Sequence, residues 1–435
     1  MNSIAWLILA LFLAIGQPLL AKTGKLALSV KAEAAILMNA ATGTILYEKN
    51  ARDLHYPAST LKIATALYAL KKVSNKMDVM IAADQDCIGT VKEEAIRKSK
   101  YTLPPYLLIP DGSHIGIKRG ELLSLRDLFY GMMVASGDDA ANVIAKYAGG
   151  TIPQFMQEMN AYVKELGCLS TTLYNPHGLH HPQQKTTAFD LAVLTREALN
   201  HPLFREMVAT VRYTRPKTNK QEPSTLVQTN RLLRTGPYFY PKTIGVKTGY
   251  YSLAGNTFVA AAQDGDRILI AVLLKVNERK DIFLDAKKMF EAAFSQPKVQ
   301  KVLLKKGNQK FSLDLPGAEK SIVGYVSEDV TLEYYPAEEP PLKCLLIWNK
   351  KLQLPVLKDQ EVGEVLLQLE DGKIMRKVPI YASEDVNSTW GFRIKSAFAG
   401  GQNSTGFFKV VVGIISFFLF GFLIFQFRRY FFKSK

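Results

Sequence analysis

The sequence predicts an α+β domain with a mainly antiparallel sheet, followed by a small all-β domain and a C-terminal transmembrane helix. Three observations carry this prediction. Strand-like pieces lie near both ends of residues 33–294, with amphipathic helical patterns between them, so the sheet closes through segments distant in the chain. Beyond Pro297 the helical patterns stop, and short β-rich pieces recur with turns at roughly ten-residue spacing, as in a small β-sandwich. From residue 407 to 427 the chain is almost continuously apolar, about 20 residues, the length that spans a bilayer.

Taken in order, AAILMNA and TILYEK read as a hairpin turning at Ala41-Thr42-Gly43. A helix is expected over 59–73, with Ile63, Ala66, Leu67 and Leu70 toward a core. Residues 74–120 are mixed, with strands expected at Val79–Ala82 and Leu107–Ile109. Ser124 and Asp127 form a capping pair that opens a helix through LFYGMMVAS. Helices follow from Asp139 to Tyr147 and from Ile152 to Leu166, then a loop at Tyr174–Leu179, then a Thr187-capped helix to Asn200. TFVAAAQ and ILIAVLLKV read as central strands joined at Asp264-Gly265-Asp266, and residues 280–294 as a last amphipathic helix.

The two ends carry targeting signals. Residues 1–21 read as a signal peptide, with an uncleaved anchor as the other reading. The main domain is then 22–295, the β domain 296–392, a Gly/Ser/Asn-rich linker 393–406, a membrane span 407–427 and a basic cytoplasmic tail 428–435. Arg428, Arg429, Lys433 and Lys435 directly after the span place the tail inside and the large domains outside the inner membrane, as a single-pass protein. A formal net charge of +16 suits anionic envelope polymers. No nucleic-acid-binding motif occurs, so nucleic acid is not an expected partner. Cys87, Cys168 and Cys344 have no metal spacing and read as small buried residues; no metal or cofactor is expected.

The chemistry begins at Ser59 and Lys62. Three residues apart on a helix they share a face, which places an amine beside a hydroxyl. A serine is a weak nucleophile without an adjacent base, and a lysine is a base only when its pKa is lowered. Two further segments belong with this pair: Ser136-Gly137-Asp138, at a junction of helices, and Lys247-Thr248-Gly249-Tyr250, at the start of a strand. Each is weak alone. The order S-x-x-K, S-x-D, K-T-G resembles the penicillin-recognising serine enzymes.

The resemblance narrows with PASTLK, ASGDDAAN, YNPHGL, TTAFDLA, TNRLL and GVKTGYYSLAGNTFVAAA. Over residues 33–294 these are similar to the low-molecular-mass D-alanyl-D-alanine carboxypeptidases of serine peptidase family S11. QLPVLKDQEVGEV and VPIYASEDV resemble the β domain that follows in many of them. The resemblance implies a β-lactamase-like catalytic fold, with Ser59 as acylated nucleophile, Lys62 as base and Ser136 as proton relay. It further implies that Lys247 and Thr248 hold the substrate carboxylate and that the backbone N–H groups of Ser59 and Tyr250 form an oxyanion hole. Gly249 lets the strand approach the substrate. Arg231 either adds positive charge at the carboxylate end or forms a structural salt bridge, and His177 is assigned to loop structure. The implied partners are peptidoglycan stem peptides and acylating β-lactams. A DD-endopeptidase of the same family is the rival enzyme; a β-lactamase and a non-catalytic envelope scaffold are the other readings. One departure stands at the centre. Asp138 occupies a position that is usually Asn, and a carboxylate there raises a neighbouring lysine's pKa. The expectation is that Asp138 pairs mainly with Lys247 and leaves Lys62 free.

Overall fold

The computed structural model describes residues 25–73, 76–399, 412–413 and 415–424. By contacts the chain divides into two units. One ends at Lys298 and also takes in Tyr335–Glu339; the other holds the remainder of the C-terminal part.

The first unit runs β1 (Ala34–Asn39), β2 (Ile45–Lys49), a 3₁₀ turn at Ala58–Leu61 and α1 (Lys62–Val73). Then come β3 (Met80–Ala82), α2 (Gln85–Ile88), α3 (Glu93–Lys98), β4 (Leu122–Ser124), α4 (Leu125–Val134), α5 (Asp138–Gly149) and α6 (Ile152–Glu165). It closes with α7 (Ala188–Ala198), α8 (Pro202–Ala209), β5 (Arg212–Arg215), β6 (Ser224–Val227), β7 (Thr243–Tyr251), β8 (Gly255–Asp264), β9 (Arg267–Val276) and α9 (Arg279–Phe294). The main sheet has the order β2-β1-β9-β8-β7, with every pair antiparallel, so strands from both ends of the unit meet at β1 and β9.

Both faces of this sheet are buried, which is why its central strands read as unbroken apolar runs. On β9, Ile270, Val272 and Leu274 join one core with residues of α1, α4, α5, α6 and α7. The alternate residues Leu269, Ala271 and Leu273 join a second core with Phe283, Met289 and Phe290 of α9. β8 divides in the same way, Val259 and Ala261 against Phe258 and Ala260. Ala337, between strands of the second unit in sequence, is buried in that second core, and Glu338 there accepts from Arg267 Nε at 2.9 Å.

Ser124 accepts from the Asp127 N–H and forms the expected capping box of α4. Leu107–Ile109 is not a strand: Leu108 makes only an isolated bridge to Thr90, and the partner of β3 is β4 instead. Ser59 lies in the 3₁₀ turn ahead of α1 rather than within the helix. Cys87 and Cys168 are buried, but Cys344 is exposed, because the short β-domain strand that carries it leaves most of its side chains uncovered.

The second unit contains β10 (Val299–Leu304), β11 (Gly307–Leu313), β12 (Ile322–Val326), β13 (Val330–Tyr334), β14 (Leu342–Trp348), β15 (Glu361–Leu369) and β16 (Ile374–Ala382). They form a β10-β13 pair and a β11-β12-β16-β15-β14 sheet around one core that includes Val330, Val362, Val365 and Ile380. Trp390–Ala399 is helix α10, so the first residues of the expected linker are helical; the glycine run that would end a helix begins only at residue 400. The expected signal peptide lies outside the described residues, and so does much of the expected span. Among the described residues no helix is long and apolar enough to cross a membrane.

Candidate active site

Four elements of the first unit converge on Ser59. The 3₁₀ turn presents its hydroxyl, and α1 begins at Lys62, one turn later. Lys62 Nζ donates to Ser59 Oγ at 3.0 Å, to Asp138 Oδ1 at 2.6 Å and to the His177 carbonyl at 2.6 Å. Asp138 stands at the start of α5, and its other oxygen accepts from the Ser113 N–H at 3.2 Å. Lys62 and Lys247 are fully buried and Asp138 is 2% exposed.

This corrects the expected pairing. Asp138 bonds Lys62, while the Lys247 amine donates to the Thr248 carbonyl at 3.0 Å. The reason lies in the packing: α1 and α5 lie against each other, so the first turn of α5 faces the start of α1. Burial pushes the Lys62 pKa down, and the adjacent Asp138 carboxylate opposes that fall. Burial also holds the Lys247 pKa well below the ordinary lysine range, and the charge of Lys62 adds to the depression. As a neutral amine, Lys62 keeps two N–H donors for Asp138 and the His177 carbonyl. Its lone pair then faces Ser59 Oγ, the position a general base requires.

The backbone is left-handed at Ala58 (φ 48°), just before Ser59, and at Ser136 (φ 67°), between α4 and α5. Non-glycine residues adopt that region at a cost, and such positions gather at functional sites. Ser136 is not the helix cap expected of a structural serine; that place is taken by Gly137, and Ser136 is buried. Asp139 staples the neighbouring loop, accepting from the N–H groups of Ile115, Gly116 and Ile117 at 3.0–3.1 Å.

β7 forms the opposite wall. A Cβ added to Gly249 would stand 2.7 Å from the Ser59 nitrogen and 2.5 Å from Thr257 Oγ1, so the strand passes this close only because residue 249 has no side chain. Thr248 Oγ1 donates to Thr229 Oγ1 at 2.7 Å, and Tyr250 is 66% exposed beside them. Arg231 is exposed, with its guanidinium 5.9 Å from the Tyr238 ring centre.

Two contacts of the site are not read from the sequence. Thr229 lies in TNRLL, but nothing local marks its hydroxyl as a partner for β7. The His177 contribution is a backbone carbonyl, aimed by a braced turn: Asn175 Oδ1 accepts from the Gly178 N–H at 2.8 Å, and Thr65 Oγ1 donates to the Pro176 carbonyl at 2.7 Å. Gly178, at φ 97°, presses so close to the Ala58 carbonyl that a Cβ would clash at 2.1 Å. The His177 ring accepts the Leu179 N–H at Nδ1, at 3.1 Å, and turns Nε2 to the Tyr106 carbonyl at 3.3 Å. Burial pushes its pKa down to about 4, so the imidazole is neutral at ordinary pH.

The chain matches a family model described as Peptidase S11, D-alanyl-D-alanine carboxypeptidase, over residues 21–278. Residues 299–388 match the penicillin-binding protein 5 C-terminal domain. D-alanyl-D-alanine carboxypeptidase DacF of Bacillus subtilis is 31% identical over 372 residues, 82% of this chain and 87% of that protein. DacD of Salmonella typhimurium is 30% identical over 365 residues, with the same coverage. Among solved structures, penicillin-binding protein 6B from Escherichia coli superposes with a TM-score of 0.58 at 26% identity, covering 82% of this chain and 96% of that one. An amine held at 3.0 Å from a serine hydroxyl, with a K-T-G strand backing that serine, accords with these matches, and the chain belongs to the S11 serine peptidase family of D-alanyl-D-alanine carboxypeptidases.

Proposed function

We propose that the protein removes the terminal D-alanine of peptidoglycan stem peptides through an acyl-enzyme on Ser59, and that penicillins acylate the same hydroxyl. The observation that carries this reading is the contact between Lys62 Nζ and Ser59 Oγ inside a fully buried amine environment. Lys62 takes the hydroxyl proton as Ser59 Oγ attacks the penultimate D-alanine carbonyl. The oxyanion forms beside the Ser59 and Tyr250 N–H groups. Ser136 passes the proton from Lys62 to the leaving amine, the C–N bond breaks and D-alanine departs. Water then hydrolyses the Ser59 ester. Lys247 and Thr248 hold the terminal carboxylate, and Thr229 fixes the Thr248 hydroxyl. Asp138 holds the Lys62 amine in place.

A fluorescent penicillin is expected to label the wild-type protein and leave the Ser59→Ala variant unlabelled, with mass spectrometry locating the adduct on Ser59. Release of free D-alanine from a pentapeptide, faster than cleavage of a cross-linked dimer, is the accompanying expectation. A label elsewhere refutes the nucleophile, and preferred cleavage of the dimer would favour the endopeptidase.

The apolar stretch 407–427 followed by Arg428 and Arg429 supports a membrane anchor, with the catalytic unit on the extracytoplasmic side. Ending the chain at residue 399 should move the penicillin-labelled protein from the membrane fraction to the soluble one. A truncated protein that still sediments with membranes refutes this anchor.

A further inference from the structure

We infer that the His177 imidazole and the Asn142 amide are positioning residues: through one shared acceptor, the Tyr106 carbonyl, they hold the backbone carbonyl that aims Lys62 at Ser59. The inference rests on the acyl-enzyme reading above, with Lys62 as base, and adds to it two side chains that lie outside its three motifs.

Two acceptors place the Lys62 amine beside Ser59, the Asp138 carboxylate and the His177 carbonyl, each at 2.6 Å. Asp138 is carried by a regular helix, α5. His177 lies in a loop, outside any helix or strand, so its carbonyl needs another anchor. The imidazole of the same residue supplies one. Nδ1 accepts the Leu179 N–H at 3.1 Å, which puts the ring proton on Nε2. Nε2 then donates to the Tyr106 carbonyl at 3.3 Å. That carbonyl also accepts from Asn142 Nδ2 at 2.9 Å, while the amide's other hydrogen goes to the Cys87 carbonyl at 3.0 Å. A carbonyl oxygen has two lone pairs, and Tyr106 spends one on each donor.

Asn142 stands one helical turn after Asp138 on α5, so the two side chains share a face. The contacts therefore close a ring. It runs from Lys62 to Asp138, along α5 to Asn142, across the Tyr106 carbonyl to the His177 imidazole, and back through the His177 carbonyl to Lys62. Both acceptors of the amine are thereby tied to one helix. Asn142 and His177 are fully buried, so bulk water does not replace a bond that is lost. A displacement of about 1 Å at a reacting group costs about a hundredfold in rate, which is the scale on which this ring acts.

The test is stopped-flow acylation of the full-length protein by a fluorescent penicillin, with the rate expressed per Ser59 titrated at the end of the reaction. Misfolded protein lowers that titre and leaves the rate unchanged, so a merely structural role does not move the readout. Two substitutions separate the bonds of the ring. His177→Asn places its amide as far from Cβ as Nδ1, keeping an acceptor for the Leu179 N–H and losing the reach to Tyr106. His177→Gln places an N–H donor as far from Cβ as Nε2, keeping that reach. The asparagine variant should acylate about a hundredfold more slowly, and the glutamine variant should recover at least about tenfold of the loss. Asn142→Leu should also slow acylation, and the double variant with His177→Asn should lose less than the product of the two single losses, because both act through one carbonyl. An asparagine variant within about threefold of wild type, a glutamine variant no faster than asparagine, or losses that multiply in the double variant overturns the inference. Each of those outcomes leaves the parent reading intact; a wild type that takes no label on Ser59 refutes the acyl-enzyme itself.

Discussion

Replacing Lys62 by arginine is expected to slow penicillin acylation of Ser59 by about ten-thousand-fold. Arginine carries a fixed positive charge and still offers donors to Asp138 and the His177 carbonyl. It cannot give up a proton near neutral pH, so no lone pair is presented to Ser59. The comparison therefore separates the base from the counter-charge. Lys62→Ala should lose acylation to a similar degree and should also lose stability. It leaves the Asp138 carboxylate buried at 2% exposure without the amine that bonds it, and removing one partner of a buried pair costs about 3–5 kcal/mol. Stopped-flow acylation and denaturant unfolding measure the two effects. Acylation of the arginine variant within tenfold of wild type would remove Lys62 from the base's role.

Asp138→Asn is expected to move the acidic limb of the kcat/KM profile to lower pH. Below that limb the enzyme is inactive because its base is protonated. Burial pushes the Lys62 pKa down, and the Asp138 carboxylate, bonded at 2.6 Å, holds it up. Neutralising the carboxylate removes the opposing effect, so the amine stays neutral to lower pH. Under acidic conditions activity then rises tenfold for each pH unit that the limb moves. Asp139 is the other charged group acting on Lys62, and it is untouched by the substitution. His177 is already neutral and contributes no competing step. The amide offers one oxygen where the carboxylate offered two, so either Lys62 or the Ser113 N–H loses an acceptor, at about 1–3 kcal/mol. A limb that stays in place, or moves to higher pH, means that the carboxylate does not set the charge of the base.

The elements legible in the sequence are those whose signal is local. The Ser124–Asp127 cap, the turn at Asp264-Gly265-Asp266 and the unbroken apolar runs of β8 and β9 each state their structure within a few residues. The hairpin of β5 and β6 and helix α8 were not anticipated, because their patterns are short and half-polar. Leu107–Ile109 looked like a strand, but the neighbouring β3 pairs with β4 and leaves it a single bridge.

The site divides along the same line. Three short motifs identify the chemistry because each places its residue types at a fixed local spacing, and Ser59 and Lys62 meet through one helical turn alone. Which lysine Asp138 binds is a different kind of fact. Its partner lies 76 residues away, and the choice between Lys62 and Lys247 is made by how α1, α5 and β7 pack. The His177 carbonyl and the Thr229 hydroxyl are likewise placed by tertiary contacts, one of them through a backbone atom that carries no residue-specific signal. The sequence by itself determined the family, the order of the main elements and the candidate nucleophile and base, because propensity and spacing act along the chain. Only the tertiary structure decided the pairing of Asp138 with Lys62, because electrostatic pairing follows distance in space and burial, and neither is written in any single segment.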